Sequence, residues 1–272
     1  MKLYVIDNGK MWIERSGLLA EEGQSADGDL TPCAEWVDIP VGTFLIDHPE
    51  GLVVFDTACD PEGMSKNWPE YNKQVSPHEA TEEDYLPARL KQVGVSPDDV
   101  KYVVLSHLHT DHVGCLKLFK NAEIFVNETE FKEALRQYAT RKMEPAYIAT
   151  DIKGWLEAGL NWHLVADGKT EYPLLRGLTI LNFGPGHAYG MMGLLVELQA
   201  SGNFLLVSDA LYSPENLGPP VRLPGLVYDP LGYDATAKFI RNYAEKKNAR
   251  ILFGHDKTQF DSLEKSPDGF YQ

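Results

Sequence analysis

The sequence is poor in cysteine, in positive charge and in long apolar runs, and each shortage removes a class of function. Its three cysteines, Cys33, Cys59 and Cys115, form no Cys-x-x-Cys. An odd number so spaced builds no disulfide framework and fits a reducing compartment. Lys and Arg number 25 against 40 Asp and Glu, a net charge of −15. A field of that sign repels phosphate backbones and anionic lipid, which speaks against nucleic acid and membrane as partners. No run approaches the roughly 18 apolar residues of a membrane span. The N-terminus turns polar after Ile6 and reads as a first strand, not as a signal peptide, so a cytoplasmic location is expected. There is no Gly-x-Ser-x-Gly nucleophile turn and no repeat of about 20–50 residues.

What remains is an ordinary globular composition, 43% hydrophobic and 24% charged over 272 residues. That length buries enough surface to fold without a disulfide or metal, and with no linker in sight residues 1–272 read as one domain. Strand signals fall at Leu3–Ile6, Val41–Ile46, Leu52–Phe55, Tyr102–Leu105, Glu123–Val126, Leu178–Phe183, Met192–Leu198, Phe204–Ser208 and Arg250–Phe253. The pair flanking Ala200-Ser201-Gly202-Asn203 suggests a hairpin. Helices are expected over Glu82–Val93, closed by Gly94, from Asn127 as N-cap to about Tyr138, around Ile152–Ala158, and from Ala235 to Lys247. Residues 58–80, with Pro61, Pro69 and Pro77, read as an irregular excursion. Grouped strands with helices between them place the chain in the α/β or α+β class.

The chemistry concentrates in His107-x-His109-x-Asp111-His112, three of the eight histidines within six residues. Imidazole and carboxylate together suit Zn, Fe, Mn or Co far better than Ca or Mg. The stretch follows a strand, so it lies on a loop where alternate residues can aim at different points. His187, Asp209 and His255 also arrive after apolar strands. Strands of one sheet ending on a common edge would bring them to the first cluster.

On these residues the chain resembles the metallo-β-lactamase fold, and within it most of all the N-acyl-homoserine lactone lactonases. Phe55-Asp56-Thr57, Ser106-His107-Leu108-His109, Asp209-Ala210-x-Tyr212 and Phe253-Gly254-His255-Asp256 add to the likeness. The resemblance implies an α+β, four-layer αββα sandwich with metal sites along one edge. It implies two divalent ions, zinc foremost with Fe, Mn or Co as alternatives. His107, His109 and His187 would hold one, Asp111, His112 and His255 the other, and Asp209 would bridge them. Tyr212 would point at the substrate carbonyl, and Asp56 would orient a ligand histidine. The implied activity is metal-dependent opening of an acyl-homoserine lactone, a quorum-quenching reaction. A hydroxide shared by the metals attacks, Tyr212 supports the oxyanion, and Asp209 or Asp111 carries the proton. The expected partner is a small lactone, and a homodimer is compatible with the family.

The chain departs from the family in places. Thr110 stands where relatives often carry an aromatic, Gly184–Met191 lacks a second histidine, and Asp56-Thr57-Ala58 replaces Asp-Thr-Gly. Met11, Trp12, Trp68, Met191 and Met192 could line an apolar pocket or belong to the core. The nearest rival is another lactonase, such as a 4-pyridoxolactonase-like enzyme, or an ester or thioester hydrolase of the same fold. A glyoxalase-II-type enzyme would add a basic C-terminal region, and a nuclease would want a basic surface.

Overall fold

The structure, a computed structural model, describes residues 1–23 and 35–272; Cys33 lies outside them. Strands β1 (Lys2–Glu14), β2 (Trp36–His48), β3 (Gly51–Phe55), β4 (His78–Glu79), β5 (Val100–Val104), β6 (Glu123–Asn127) and β7 (Asn161–Val165) form one sheet in the order β4-β1-β2-β3-β5-β6-β7. The second sheet, β12-β11-β10-β9-β8, contains β8 (Glu171–Leu175), β9 (Leu178–Gly184), β10 (Met191–Leu198), β11 (Gly202–Ser208) and β12 (Ala249–Phe253). Strands β1 to β3 pair antiparallel, β3, β5, β6 and β7 parallel, and β11 pairs β12 in parallel. Helices α1 (Glu70–Val75), α2 (Leu86–Gln92), α3 (Glu128–Thr140), α4 (Ala149–Ala158), α5 (Pro230–Lys247) and α6 (Lys257–Ser262) complete the main elements.

Period-2 alternation sorts the apolar residues into layers. Leu3, Val5, Val53 and Phe55 face Ile180, Leu194, Val196 and Leu206 between the sheets. Their neighbours Ile6, Leu45 and Val54 pack outward with Leu86, Leu90, Ala134 and Ile152 from α2, α3 and α4. On the far side, Leu195, Leu205 and Val207 meet Tyr233, Ala237 and Ile240 of α5. The four-layer αββα sandwich expected from the sequence is therefore the fold. Each fully buried aliphatic side chain in these layers contributes about 1.5–3 kcal/mol, so the core stands without help from the site at its edge.

Several boundaries differ from the sequence expectation. The first two strands run for 13 residues each, because polar Asp7 and Asp38 pair in the ladder as readily as apolar residues do, and β1 continues past an irregularity between Asp7 and Lys10. The excursion 58–80 holds α1 and the edge strand β4. Helix α5 starts at Pro230: Asp229 caps the Leu231 and Gly232 amides, so Gly232 lies in the first turn and does not break it. Pro87 occupies the first turn of α2, where a missing N–H costs nothing.

A candidate dinuclear metal centre

Strand ends position the site. The parallel neighbours β3 and β5 deliver Asp56 and the His107–His112 loop from the first sheet. Strands β9, β11 and β12 deliver His187, Asp209 and His255 from the second. The expectation of a single sheet edge is thus corrected: two sheets meet at the site, since a sandwich brings together the ends of both. The backbone is held in left-handed conformation at Asp56 (φ 61°), Ala58 (φ 53°) and Ser208 (φ 48°). Such values are uncommon for non-glycine residues and gather at functional loops.

All seven residues singled out by their chemistry converge in two groups. His107, His109 and His187 form one; Asp111, His112, Asp209 and His255 form the other, with donor atoms within 4.8 Å of one another inside each group. Asp209 faces both. Its Oδ2 lies 3.3 Å from His187 Nε2 and 3.8 Å from His107 Nε2, and its Oδ1 3.1 Å from His255 Nε2 and 3.4 Å from His112 Nε2. Asp111 Oδ2 lies 3.3 Å from His112 Nε2 and 3.5 Å from His255 Nε2.

The outer nitrogens decide whether this set fits metal. His107 Nδ1 is 2.9 Å from the Ser106 hydroxyl, which itself donates to Asp56. His112 Nδ1 is 2.9 Å from Asp56 Oδ2, His187 Nδ1 is 3.0 Å from the Leu226 carbonyl, and His255 Nδ1 is 3.0 Å from the Pro40 carbonyl. Four imidazoles thus have an acceptor at Nδ1, which fixes a proton there and turns Nε2 inward, where a metal ion would take the place of any proton it carries. His109 offers Nδ1 instead, 2.9 Å from His187 Nε2. His107 Nε2, His112 Nε2 and Asp209 Oδ1 are buried without a well-aligned hydrogen bond. Buried polar atoms are normally satisfied, and inward-turned imidazole nitrogens with two carboxylates form a donor set suited to divalent first-row ions. The residues fit two ions sharing Asp209.

Electrostatics divides the site in the same way. Burial, reinforced by neighbouring imidazoles, holds His107 and His109 well below the usual histidine range. Burial opposes the charged form of His112 too, but Asp111, Asp209 and Asp56 outweigh it and hold it well above. For Asp209, burial would raise the carboxyl, yet His255 and His112 keep it well below its ordinary value. Asp111 is likewise held down, to about 2, by His112 against the effect of burial. Both carboxylates are therefore ionised at neutral pH and ready to bind cations.

The centre opens into a cavity of about 690 Å³. Met11, Ile13, Ile39, Leu226, Val227 and Tyr212 are among the residues that line it. Of the five apolar residues considered for a pocket, only Met11 lines it. Trp68, Met191 and Met192 are core, and the indole of Trp12 donates to Glu79. Thr110 lines the cavity, its hydroxyl donating to Asp151 at 3.0 Å. Sequence reasoning missed Ser208, whose hydroxyl lies 2.9 Å from the Ser106 hydroxyl and 3.2 Å from Asp56 Oδ2, and the carbonyls of Leu226 and Pro40. A carbonyl leaves no signature in sequence. Cys59 and Cys115 are buried free thiols, and among the described residues no helix is long and apolar enough to cross a membrane.

The chain is similar along its length to known proteins. The family model of the metallo-beta-lactamase superfamily matches residues 38–255. The N-acyl homoserine lactonase AiiB of Agrobacterium fabrum is 44% identical over 273 residues, covering 100% of this chain and 99% of the relative. The N-acyl homoserine lactonase AiiA of Bacillus thuringiensis subsp. kurstaki is 31% identical, with 98% of each covered. Among solved structures, an N-acyl homoserine lactone hydrolase with its product N-hexanoyl-L-homoserine bound at the catalytic metal centre superposes with a TM-score of 0.81. It is 29% identical and covers 98% of this chain and 97% of its own.

Proposed function

The chain belongs to the metallo-beta-lactamase superfamily, and from that premise we propose that it is an N-acyl-homoserine lactone lactonase. The observation that carries the reading is Asp209, one carboxylate facing both donor groups and lining a cavity that it shares with Met11, Ile13, Ile39 and Leu226. End-to-end similarity to homoserine lactonases supports it. His107, His109 and His187 would hold one ion, Asp111, His112 and His255 the other, and Asp209 both. Bound there, the ions supply Lewis acidity and water acidified from pKa 15.7 to about 7. Zinc is the proposed metal, and two reduced, buried thiols accord with a cytoplasmic location.

The protein's own groups then have defined tasks. Water adds to the lactone carbonyl carbon, the ring C–O bond breaks, and the proton taken from water returns to the departing oxygen. Asp209, ionised and beside both groups, carries that proton, with Asp111 as the second carboxylate within reach. Tyr212 is the oxyanion donor. Its hydroxyl is 3.2 Å from His187 Nδ1, but the proton on that nitrogen is directed to the Leu226 carbonyl, so the imidazole does not accept from the tyrosine. Burial holds the Tyr212 hydroxyl well above its ordinary pKa, and it keeps its proton at neutral pH. The donor is free for a carbonyl oxygen. Met11, Ile13, Ile39 and Leu226 give the acyl chain an apolar bed, and a neutral amphiphile meets no repulsion from a chain of charge −15.

Tyr212→Phe is expected to lower kcat/KM by about ten- to a thousandfold, the range for removing one oxyanion donor, without loss of either ion. The assay that tests the assignment compares acyl-homoserine lactones with 4-pyridoxolactone, simple γ-lactones and thioesters on the metal-loaded protein. Acyl lactones turning over no faster than simple esters would reject it.

A further inference from the structure

The two halves of the centre share Asp56, which reaches His112 directly and His107 through Ser106, but otherwise lean on different parts of the fold. His112 leans on Asp56 and His255 on the Pro40 carbonyl. The other half converges on Glu130, a residue the sequence marks only as the acid three places after the Asn127 cap. Glu130 is fully buried in the first turn of α3. Its Oε1 accepts from the Leu108 amide at 2.9 Å and the Tyr147 hydroxyl at 2.8 Å, and its Oε2 from the Gly190 amide at 3.1 Å. Leu108 stands between His107 and His109, and Gly190 is in the loop that carries His187. The Tyr147 ring packs edge-on against His109, centroids 4.8 Å apart. Every donor to this carboxylate therefore sits on a segment that presents or touches one of the three histidines. None belongs to the Asp111–His112–His255 half.

We infer that Glu130 is a positioning residue that sets the geometry, and hence the metal affinity, of the His107–His109–His187 group alone; the inference rests on the dinuclear reading above. A buried carboxylate is a costly way to fill a core unless its oxygens are satisfied, and here the Leu108, Tyr147 and Gly190 donors are joined by the Tyr189 amide, on the same loop as His187. Burial pushes the Glu130 carboxyl up to about 7 while the donated hydrogen bonds pull it down. The turn beneath it is tied to both loops. Asn127 Oδ1 accepts the Glu130 amide at 2.9 Å, and its amide group donates to Asn182 at 3.0 Å. Gly190 approaches so closely that a Cβ there would fall 1.9 Å from Asn127 Oδ1. One turn of helix thus fixes the relative position of two ligand loops that arise from different sheets.

The test is a metal titration of metal-free protein against a competing chelator, which reads affinity without turnover. Glu130→Gln keeps the size but turns an NH₂ group towards an N–H donor. The variant should bind one zinc equivalent as wild type does and the other about 10–100-fold more weakly, the usual effect of removing a partner behind a ligand. In a His255→Ala background, where the three-histidine group dominates, E130Q should weaken the remaining equivalent by the same factor. In a His107→Ala background it should change nothing. Equal weakening in both backgrounds, or in neither, would overturn the assignment. If E130Q does not fold, Tyr147→Phe removes one donor and should give a several-fold loss confined to the His255→Ala background, no loss there being a refutation. Wild-type protein that binds fewer than two ions would overturn the dinuclear reading and this inference together. With two ions bound but no lactone opened, only the substrate assignment falls, and the two backgrounds still decide the role of Glu130.

Discussion

Asp209→Asn should lower kcat by about 10²–10⁴-fold, the contribution of a positioned proton carrier, while the chain stays folded. The carboxylate presents one oxygen to His107 and His187 and the other to His112 and His255. An amide has a single acceptor oxygen, so one half of the centre would face an NH₂ group, and the base that accepts a proton from water would be gone. The sheets should persist, because their apolar layers lie between and outside the strands and not at the site. Steady-state kinetics on reconstituted protein, with metal content measured in parallel, checks this. Near-normal turnover with both ions bound would remove Asp209 from its role.

Stripping the protein with a chelator should abolish lactone opening and leave the far-ultraviolet dichroism intact. Two equivalents of zinc per chain should restore activity. Metal that binds only the folded state stabilises it by about 2.7 kcal/mol per site at a free concentration a hundred times Kd. For a chain of this size that amounts to roughly 5–11 °C in Tm per site. The melting temperature should therefore climb in two steps as metal is added. A stoichiometry that stays at one, with His112 and His255 replaceable at no loss, would sink the two-metal mechanism.

The candidate ligands were legible because their signal is local in chemistry even though they are distant in space. His107-x-His109-x-Asp111-His112 is too dense to mistake, and His187, Asp209 and His255 each follow an apolar strand. Strand positions followed from the same runs, whereas strand lengths did not. Polar Asp7 and Asp38 extend β1 and β2 with no periodicity to announce them, and β7 and β8 carry weak patterns at sheet edges. What orients the ligands was hidden for a different reason. The Leu226 and Pro40 carbonyls act through the backbone, which every residue shares. Glu130 and Tyr147 lie 17 residues apart in sequence and acquire meaning only when the two loops meet.

The cavity walls and the ligand supports are partly the same atoms. Leu226 lines the cavity and its carbonyl holds His187; Ile39 lines it too, beside Pro40, whose carbonyl holds His255. That segment is itself clamped, since Gly225 donates to Gly17 and Tyr228 to Gly186, next to the histidine. Selection for a bulkier or longer acyl chain therefore has unequal routes. Changes that shift the backbone at 39–40 or 225–228 trade substrate range against metal retention. Met11, Ile13, Tyr71 and Val75 line the same cavity, while the ligand imidazoles lean on other residues. Evolutionary drift in chain-length preference, and any laboratory effort to redirect it, should run through those four positions first.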